Sequence, residues 1–257
     1  MSNAFKPYQI HILKYARRDA HSGQILLGDP HQTPMDMAYY MWLVSNGEHS
    51  VVVDLGFTKA MCEKRGRQWL HEPAELFDTV GFPTSKIEHV IVSHMHWDHV
   101  GNYKLFPNAK FYVQEDEMTF WTGKYVKYPV FQHAIEVEDV VEMVRYNYGG
   151  RLFFPDSGDE IVPGVKVHKV GGHTAGIMIT EVPTASGTAV IASDAVHTYA
   201  NLRSNTPFTI IHSVPKFIDG FNLMRKLAVD EDHILPGHDA DVMNRHPLVH
   251  EDIALLR

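Results

Sequence analysis

The chain has 257 residues, 44% hydrophobic and 21% charged, with 23 Lys+Arg against 31 Asp+Glu and a formal charge of −8. This balance excludes a fibrous repeat, a disordered tail and a small disulfide scaffold, and the acidic surplus argues against nucleic acid as a partner. Cys62 is the only cysteine, no apolar run approaches the ~20 residues of a membrane span, and the opening residues lack the order of a signal peptide, so a cytoplasmic protein without a membrane partner is expected.

In chain order, Tyr8 to Tyr15 reads as a strand, and the polar stretch Ala16 to Pro34, punctuated by Gly23, Gly28, Pro30 and Pro34, reads as a long loop. Two apolar runs, 38–44 and 50–56, flank Asn46-Gly47 and predict a β-hairpin. Residues 58–80 predict helix, with Pro73 near the start of a second one. The run 88–94 predicts a buried strand that leads into a His-rich segment, 109–114 another strand, and Glu115 the start of a helix. Apolar groups at helical spacing follow over 136–147, then short strands at 151–154, 159–162, 165–170, 176–182 and 188–193. A last helix over 216–229 leads to a short strand and Gly237-His238-Asp239. The predicted fold class is α/β: two packed mixed sheets with helices on both outer faces, in one domain over 1–257.

Histidine stands out, at 18 residues. The segment Ser93-His94-Met95-His96-Trp97-Asp98-His99 follows a strand directly, where a sheet holds a loop rigidly. In extended chain alternate residues point the same way, so His94 and His96 reach one ion together while Asp98 and His99 serve another. Three further strand ends carry a metal-capable side chain in a small-residue turn: His173, Asp194 and His238. Any one of these alone is ordinary, but a layered sheet brings its strand ends together. Five His and two Asp are too many for one zinc ion, which prefers four ligands. Two divalent ions satisfy the count: His94, His96 and His173 on one, Asp98, His99 and His238 on the other, and Asp194 bridging. The N/O donor set without thiolate suits Zn and also admits Fe, Mn or Co.

These residues, His-x-His-x-Asp-His followed by a Gly-His turn, a strand-end Asp and a late Gly-His, resemble the metallo-β-lactamase superfamily. Over about Tyr8 to Asp241 the order is most like that of quorum-quenching N-acyl homoserine lactonases and related small-lactone hydrolases. The resemblance implies an αβ/βα four-layer fold, a dinuclear metal centre built from all seven positions, and hydrolytic ring opening of a cyclic ester. Two positions depart from the pattern. Asp54-Leu55-Gly56 stands where the family often has Asp-Thr-Gly, and His197 stands where those lactonases carry a Tyr that contacts the substrate carbonyl.

Two cations that share a water lower its pKa and supply a hydroxide nucleophile. Asp98 is then the expected proton shuttle, and His197 or Tyr199 the group that orients the carbonyl. Asp54, at a strand end, is expected either to fix a ligand imidazole or to cap backbone N–H groups. Candidate substrate contacts are Met35, Tyr39, Trp97, Phe120, Trp121 and Phe208, with Met37, Tyr125 and His212 beside them. A small molecule is the expected partner. The long loops at 16–37 and 198–215 are expected to cover the site or to pack in a homodimer. The same chemistry serves a cyclic amide, an open ester or a thioester, and a metal-binding or redox module uses the same ligands without turnover.

Overall fold

A computed structural model of the protein describes residues 6–257; the first five, part of the opening read for a signal peptide, lie outside the described residues. The strands are β1 (Gln9–Arg18), β2 (Met37–Ser45), β3 (Ser50–Val53), β4 (Gln68–Trp69), β5 (His89–Ile91), β6 (Lys110–Tyr112), β7 (Leu152–Phe153), β8 (Glu160–Val162), β9 (Val165–Lys169), β10 (Met178–Thr184), β11 (Gly187–Ser193), β12 (Ile234–Pro236), β13 (Leu248–His250) and β14 (Ile253–Leu256). One sheet has nine strands in the order β13-β14-β1-β2-β3-β5-β6-β7, with β4 paired to β1. The other has five, in the order β12-β11-β10-β9-β8.

Side-chain alternation explains the layering. Along β2, Ala38, Tyr40, Trp42 and Val44 face the second sheet, where they pack with Val165, Val167, Met178, Val182 and Ile191. Tyr39, Met41 and Leu43 face the other way, onto Phe77, Phe106, Met143 and other residues of the outer helices. The small sheet does the same: Val190 and Ala192 of β11 turn outward onto Phe217, Phe221 and Met224 of the helix Val214–Leu227. With both faces covered, every residue of β2 is buried, which is why it reads as a continuous apolar run. The result is helix, sheet, sheet, helix, as the sequence predicts.

Each sheet contains parallel neighbours whose carboxyl ends open on the same side. β3 pairs with β5 and β11 with β12 in parallel register. Ligands of open α/β sheets gather outside such ends. The backbone departs from regular strand there: Asp54 after β3 and Ser193 ending β11 both have positive φ, 60° and 46°.

Some predicted elements differ. The stretch read as loop from Ala16 begins inside β1, which runs to Arg18, and contains a helical turn, Ser22–Ile25. The predicted helix over 58–80 is broken by the two-residue strand β4, paired to β1. The loop at 198–215 holds the helix Tyr199–Ser204, started by a Thr198/Asn201 capping box. The hairpin β13–β14 has no counterpart among the predicted elements; β14 completes the large sheet by pairing with β1 from Ile10↔Leu256 to Leu13↔Ile253. Among the described residues no helix is long and apolar enough to cross a membrane.

Candidate metal centre

Strand ends from both sheets converge. His94 to His99 follow β5, His173 lies in the turn between β9 and β10, Asp194 follows β11, and His238 follows β12. One donor atom from each of His94, His96, His173 and Asp194 lies within 4.8 Å of the others, and so do donors of Asp98, His99 and His238. Asp194 joins the two groups. Its Oδ2 is 3.3 Å from His173 Nε2 and 3.9 Å from His94 Nε2, while its Oδ1 is 3.2 Å from His99 Nε2 and 2.9 Å from His238 Nε2. Asp98 closes the second group, with Oδ1 3.8 Å from His99 Nε2 and Oδ2 3.7 Å from His238 Nε2. All seven expected ligand positions are thus brought together.

The outer ring nitrogens fix the tautomers. His99 Nδ1 donates to Asp54 Oδ2 at 2.8 Å, His173 Nδ1 to the carbonyl of Ile210 at 2.9 Å, and His238 Nδ1 to that of Ala38 at 2.9 Å. His94 Nδ1 lies 3.0 Å from Ser93 Oγ. Each Nε2 therefore presents a lone pair inward, the arrangement that metal-ligating imidazoles adopt. His96 differs: its Nδ1 faces His173 Nε2 at 2.9 Å, two acceptors aimed at one point. His94 Nε2, His99 Nε2 and Asp194 Oδ1 are buried with no hydrogen-bond partner. Buried polar atoms are rarely left so, and these belong to the His/Asp groups whose donor atoms lie close enough together to hold a metal ion.

Electrostatics divides the same residues. Burial pushes His94 and His173 well below the ordinary imidazole range and His96 down to about 4, so all three are neutral donors. Burial also opposes the charge on His99 and His238, but Asp194, with Asp54 and Asp98 for His99 and Asp98 for His238, outweighs it and raises both. Asp194 is held well below the usual carboxylate range, because His197, His238 and His99 overcome its burial.

Asp54 fulfils both expectations. It orients His99 through Oδ2, and its Oδ1 accepts from the backbone N–H of Ser93 at 2.8 Å. Ser193 Oγ donates to Asp54 Oδ2 at 2.7 Å, which ties the two sheets together beside the site. The small turn at Gly237 is dictated by contact: a Cβ there would lie 2.6 Å from Asp194 Oδ1 and 2.7 Å from Ser193 C.

Two adjoining cavities open on the centre. A polar one of about 230 Å³ is walled by Tyr39, Trp97, Asp98, His197 and Phe208, together with Met37. An apolar one of about 180 Å³ is walled by Phe120, Trp121 and His212. His96, His173, His133, Ala134 and Ile210 line both. His197 stacks on Phe208 at 3.5 Å between ring centroids, and its Nε2 lies 2.9 Å from Asp194 Oδ2.

Three expected contacts lie elsewhere. Tyr199 lines neither cavity; it starts the helix Tyr199–Ser204 and its ring lies under the Arg245 guanidinium at 3.9 Å, so it does not orient a substrate there. Met35 packs with the apolar cluster outside the small sheet, and its N–H bonds to the carbonyl of Ala20. Tyr125 is 47% exposed against Phe120.

The sequence reading missed Glu117 and three arginines. Glu117 is fully buried and accepts from Met95 N, Trp121 Nε1 and Gly176 N at 3.0, 3.0 and 2.7 Å, which joins the His94–His96 loop to the His173 turn. Arg18, Arg65 and Arg67 line the polar cavity. No local pattern marks these four; pairing across the sequence brings them in.

The sequence profile of the metallo-beta-lactamase superfamily matches residues 36–238. An N-acyl homoserine lactonase from a Bacillus species is 24% identical over 222 residues, covering 80% of this chain and 83% of that protein. The N-acyl homoserine lactonase of Bacillus thuringiensis is 24% identical over 189 residues, covering 68% and 70%. Among solved structures, an N-acyl homoserine lactone hydrolase with the product N-hexanoyl-L-homoserine at its catalytic metal centre superposes with a TM-score of 0.77 at 16% identity, covering 95% of this chain and 98% of that one. AidC, a dizinc quorum-quenching lactonase, superposes with a TM-score of 0.69 at 15% identity, covering 98% and 94%. With its strand-end His/Asp cluster and four-layer fold, the chain belongs to the metallo-beta-lactamase superfamily, as a metal-dependent hydrolase related to N-acyl homoserine lactonases.

Proposed function

We propose that the chain, as one domain, opens the ring of a small lactone by hydrolysis at a dinuclear centre, with zinc as the metal. The observation that carries this reading is the division of Asp194. Its Oδ2 faces the His94, His96 and His173 group, and its Oδ1 faces His99 and His238. A carboxylate that offers a separate oxygen to each of two donor sets is suited to two cations. Five imidazoles, two carboxylates and no thiolate fit Zn²⁺ and leave each ion short of saturation; Fe, Mn and Co accept the same donors. When bound, such cations supply Lewis acidity toward a carbonyl oxygen and toward water.

The protein's own groups then have separate tasks. Asp98 is the least buried of the ligand set, its side chain 14% exposed, and moves a proton toward the leaving oxygen at the cavity. His197 holds Asp194 Oδ2 through Nε2, so that nitrogen can donate to a substrate carbonyl only by releasing that oxygen. Trp97, Tyr39 and Phe208 exclude water from the polar cavity, and Phe120 and Trp121 wall the apolar one. An acyl chain suits that second cavity, so an N-acyl homoserine lactone belongs in the first substrate panel.

The test is acid release, followed by pH-stat, from lactones, cyclic imides and thioesters with metal-loaded protein. Acid is expected from lactones, and both chelation and His96→Ala should abolish it. Acid from imides or thioesters alone moves the reading to another acyl substrate. Full turnover after chelation overturns it.

A further inference from the structure

Three guanidinium groups, those of Arg18, Arg65 and Arg67, line the polar cavity beside the metal centre. Its rim includes the last residue of β1 and the residue just before β4. The short antiparallel ladder pairs Ala16 with Trp69 and Arg17 with Gln68, so the next position in register sets Arg18 across from Arg67. Like charges at such a position destabilise a sheet. Arg65, on the same wall, is neutralised by Glu136 at 2.6 Å. Arg18 and Arg67 have no such partner: among the described residues no carboxylate lies within ion-pair distance of either. Burial disfavours the charge on Arg18, yet its Nε and Nη2 reach only Met37 Sδ, a weak acceptor, at 3.2 and 3.0 Å.

Both guanidinium groups are held ready. Arg67 Nε donates to Tyr39 Oη at 2.8 Å, its Nη1 donates to the carbonyl of Arg65 at 2.6 Å, and its Cζ lies 5.5 Å from the centre of the Trp97 ring. Arg67 Nη2 and Arg18 Nη1 are left without a protein acceptor among the described residues. The carboxylates of this cavity, Asp98 and Asp194, belong to the proposed metal centre. Guanidinium forks matched to no protein anion, beside a centre that binds cations, make a site for an oxyanion on the ligand.

We propose that Arg18 and Arg67 form an anion subsite beside the metal centre, and that the substrate carries a carboxylate or phosphate group in addition to the bond that is cleaved. This rests on the hydrolase reading above and narrows it: a neutral N-acyl homoserine lactone leaves the subsite unfilled. The apolar cavity then takes the uncharged remainder of the substrate.

The experiment uses the metal-loaded protein and two matched pairs of probes. The first pair is 5-oxotetrahydrofuran-2-carboxylate and its methyl ester. Opening the acid adds one water across the acyl–oxygen bond and releases 2-hydroxyglutarate and one proton. The second pair, glutarate and monomethyl glutarate, is measured by calorimetry, so that anion recognition is read without turnover. The member of each pair with the additional free carboxylate should be favoured by about tenfold or more, the worth of one charge-assisted hydrogen bond. Arg67→Gln and Arg18→Gln should each bring both ratios toward one, through KM in the kinetic pair. Arg67→Lys, which keeps the charge and loses the fork, should recover part of the preference. The comparison in the parent protein needs no variant and so does not depend on a variant's folding. Tighter binding of 4-phosphonobutyrate than of glutarate assigns the group as phosphate, and the reverse assigns a carboxylate. Equal handling of acid and ester in both pairs overturns the proposal. A glutarate preference that the arginine variants abolish, with no lactone opened, sustains the subsite and overturns the lactone reading instead.

Discussion

Replacement of Glu117 by Gln should loosen one half of the metal centre from a distance. The carboxylate bridges Met95, between His94 and His96, and Gly176, three residues beyond His173. Its Oε2 takes two donors, Met95 N and Trp121 Nε1, and its Oε1 takes Gly176 N. A Gln placed to keep the first two turns its NH₂ against the N–H of Gly176; placed the other way, it loses two bonds. Each lost bond to a charged acceptor is worth about 1.5–3 kcal/mol. Burial already pushes the Glu117 carboxyl above its ordinary range, so neutralising it returns part of that cost. The net destabilisation should be about 2 kcal/mol. Because the strained link joins the His96 and His173 loops, affinity for the ion they share should fall about tenfold or more, the scale of an outer-sphere defect. The ion held by Asp98, His99 and His238 should bind as before. Urea unfolding of metal-free protein reads the first effect, and competition with a chromophoric zinc chelator reads the second as a split titration. If Glu117→Gln keeps the parent's urea midpoint and binds both ions with equal, unchanged affinity, the carboxylate does not organise these loops.

Gly237→Ala adds a Cβ that would meet Asp194 Oδ1 at 2.6 Å and the Ser193 backbone at 2.7 and 2.8 Å, so the Asp194 carboxylate must shift, and on the proposed dinuclear reading elemental analysis should find fewer than two ions per chain. Removal of metal should lower the melting temperature: an ion present at a thousand times its Kd contributes about 4 kcal/mol, or on the order of 10 °C for a chain of this size. A chelated sample that melts with the loaded one refutes a metal site of that affinity. Asp139, 8% exposed and flanked by Glu136 and Glu138, has its carboxyl pushed up to about 7, by burial first and then by those charges. The unfolded chain ionises near pH 4, so this group's contribution is most favourable below that pH and is lost as pH rises through 7. Asp139→Asn should therefore outlast the parent in urea by a margin that widens by about 2 kcal/mol between pH 5 and pH 8. A constant margin would show that Asp139 ionises normally in the fold.

What was legible in the sequence shares one property. His94, His96, Asp98 and His99 are neighbours in the chain, and His173, Asp194 and His238 each follow an apolar run that had to be a strand. The local pattern carried both the residue and its position at a sheet end. Arg18 and Arg67 lacked that property. β4 is two residues long, with no apolar alternation to announce it, and only its register against β1 sets the two arginines across from each other. Glu117 reads as one of three acids in the first turn of the helix Glu115–Trp121, where acids are favoured by the helix dipole. Its burial is a product of tertiary packing. Tyr199 shows the opposite: it lies two residues beyond His197, which stands where the related lactonases carry a Tyr, but the capping box at Thr198 starts a helix that turns the ring away.

The strained backbone at the site follows from how the ligands are recruited. Asp54 and Ser193 adopt left-handed φ values of 60° and 46°, each of which costs a non-glycine residue on the order of 1 kcal/mol or more. Regular strand at either position would direct the side chain to one face of its own sheet. In the observed geometry the two residues, one from each sheet, meet at 2.7 Å, and Asp54 also holds His99 and the Ser93 N–H. The strain is thus offset by bonds that span the sheets. Glu117 makes a second such connection between the loop after β5 and the turn before β10. Ligands from both sheets can converge on two ions only while those sheets stay in register, so metal binding and sheet-to-sheet packing form one coupled equilibrium. Binding that is tight in the folded protein must therefore stabilise the whole sandwich, and substitutions in the inter-sheet core, far from any ligand, must weaken the centre.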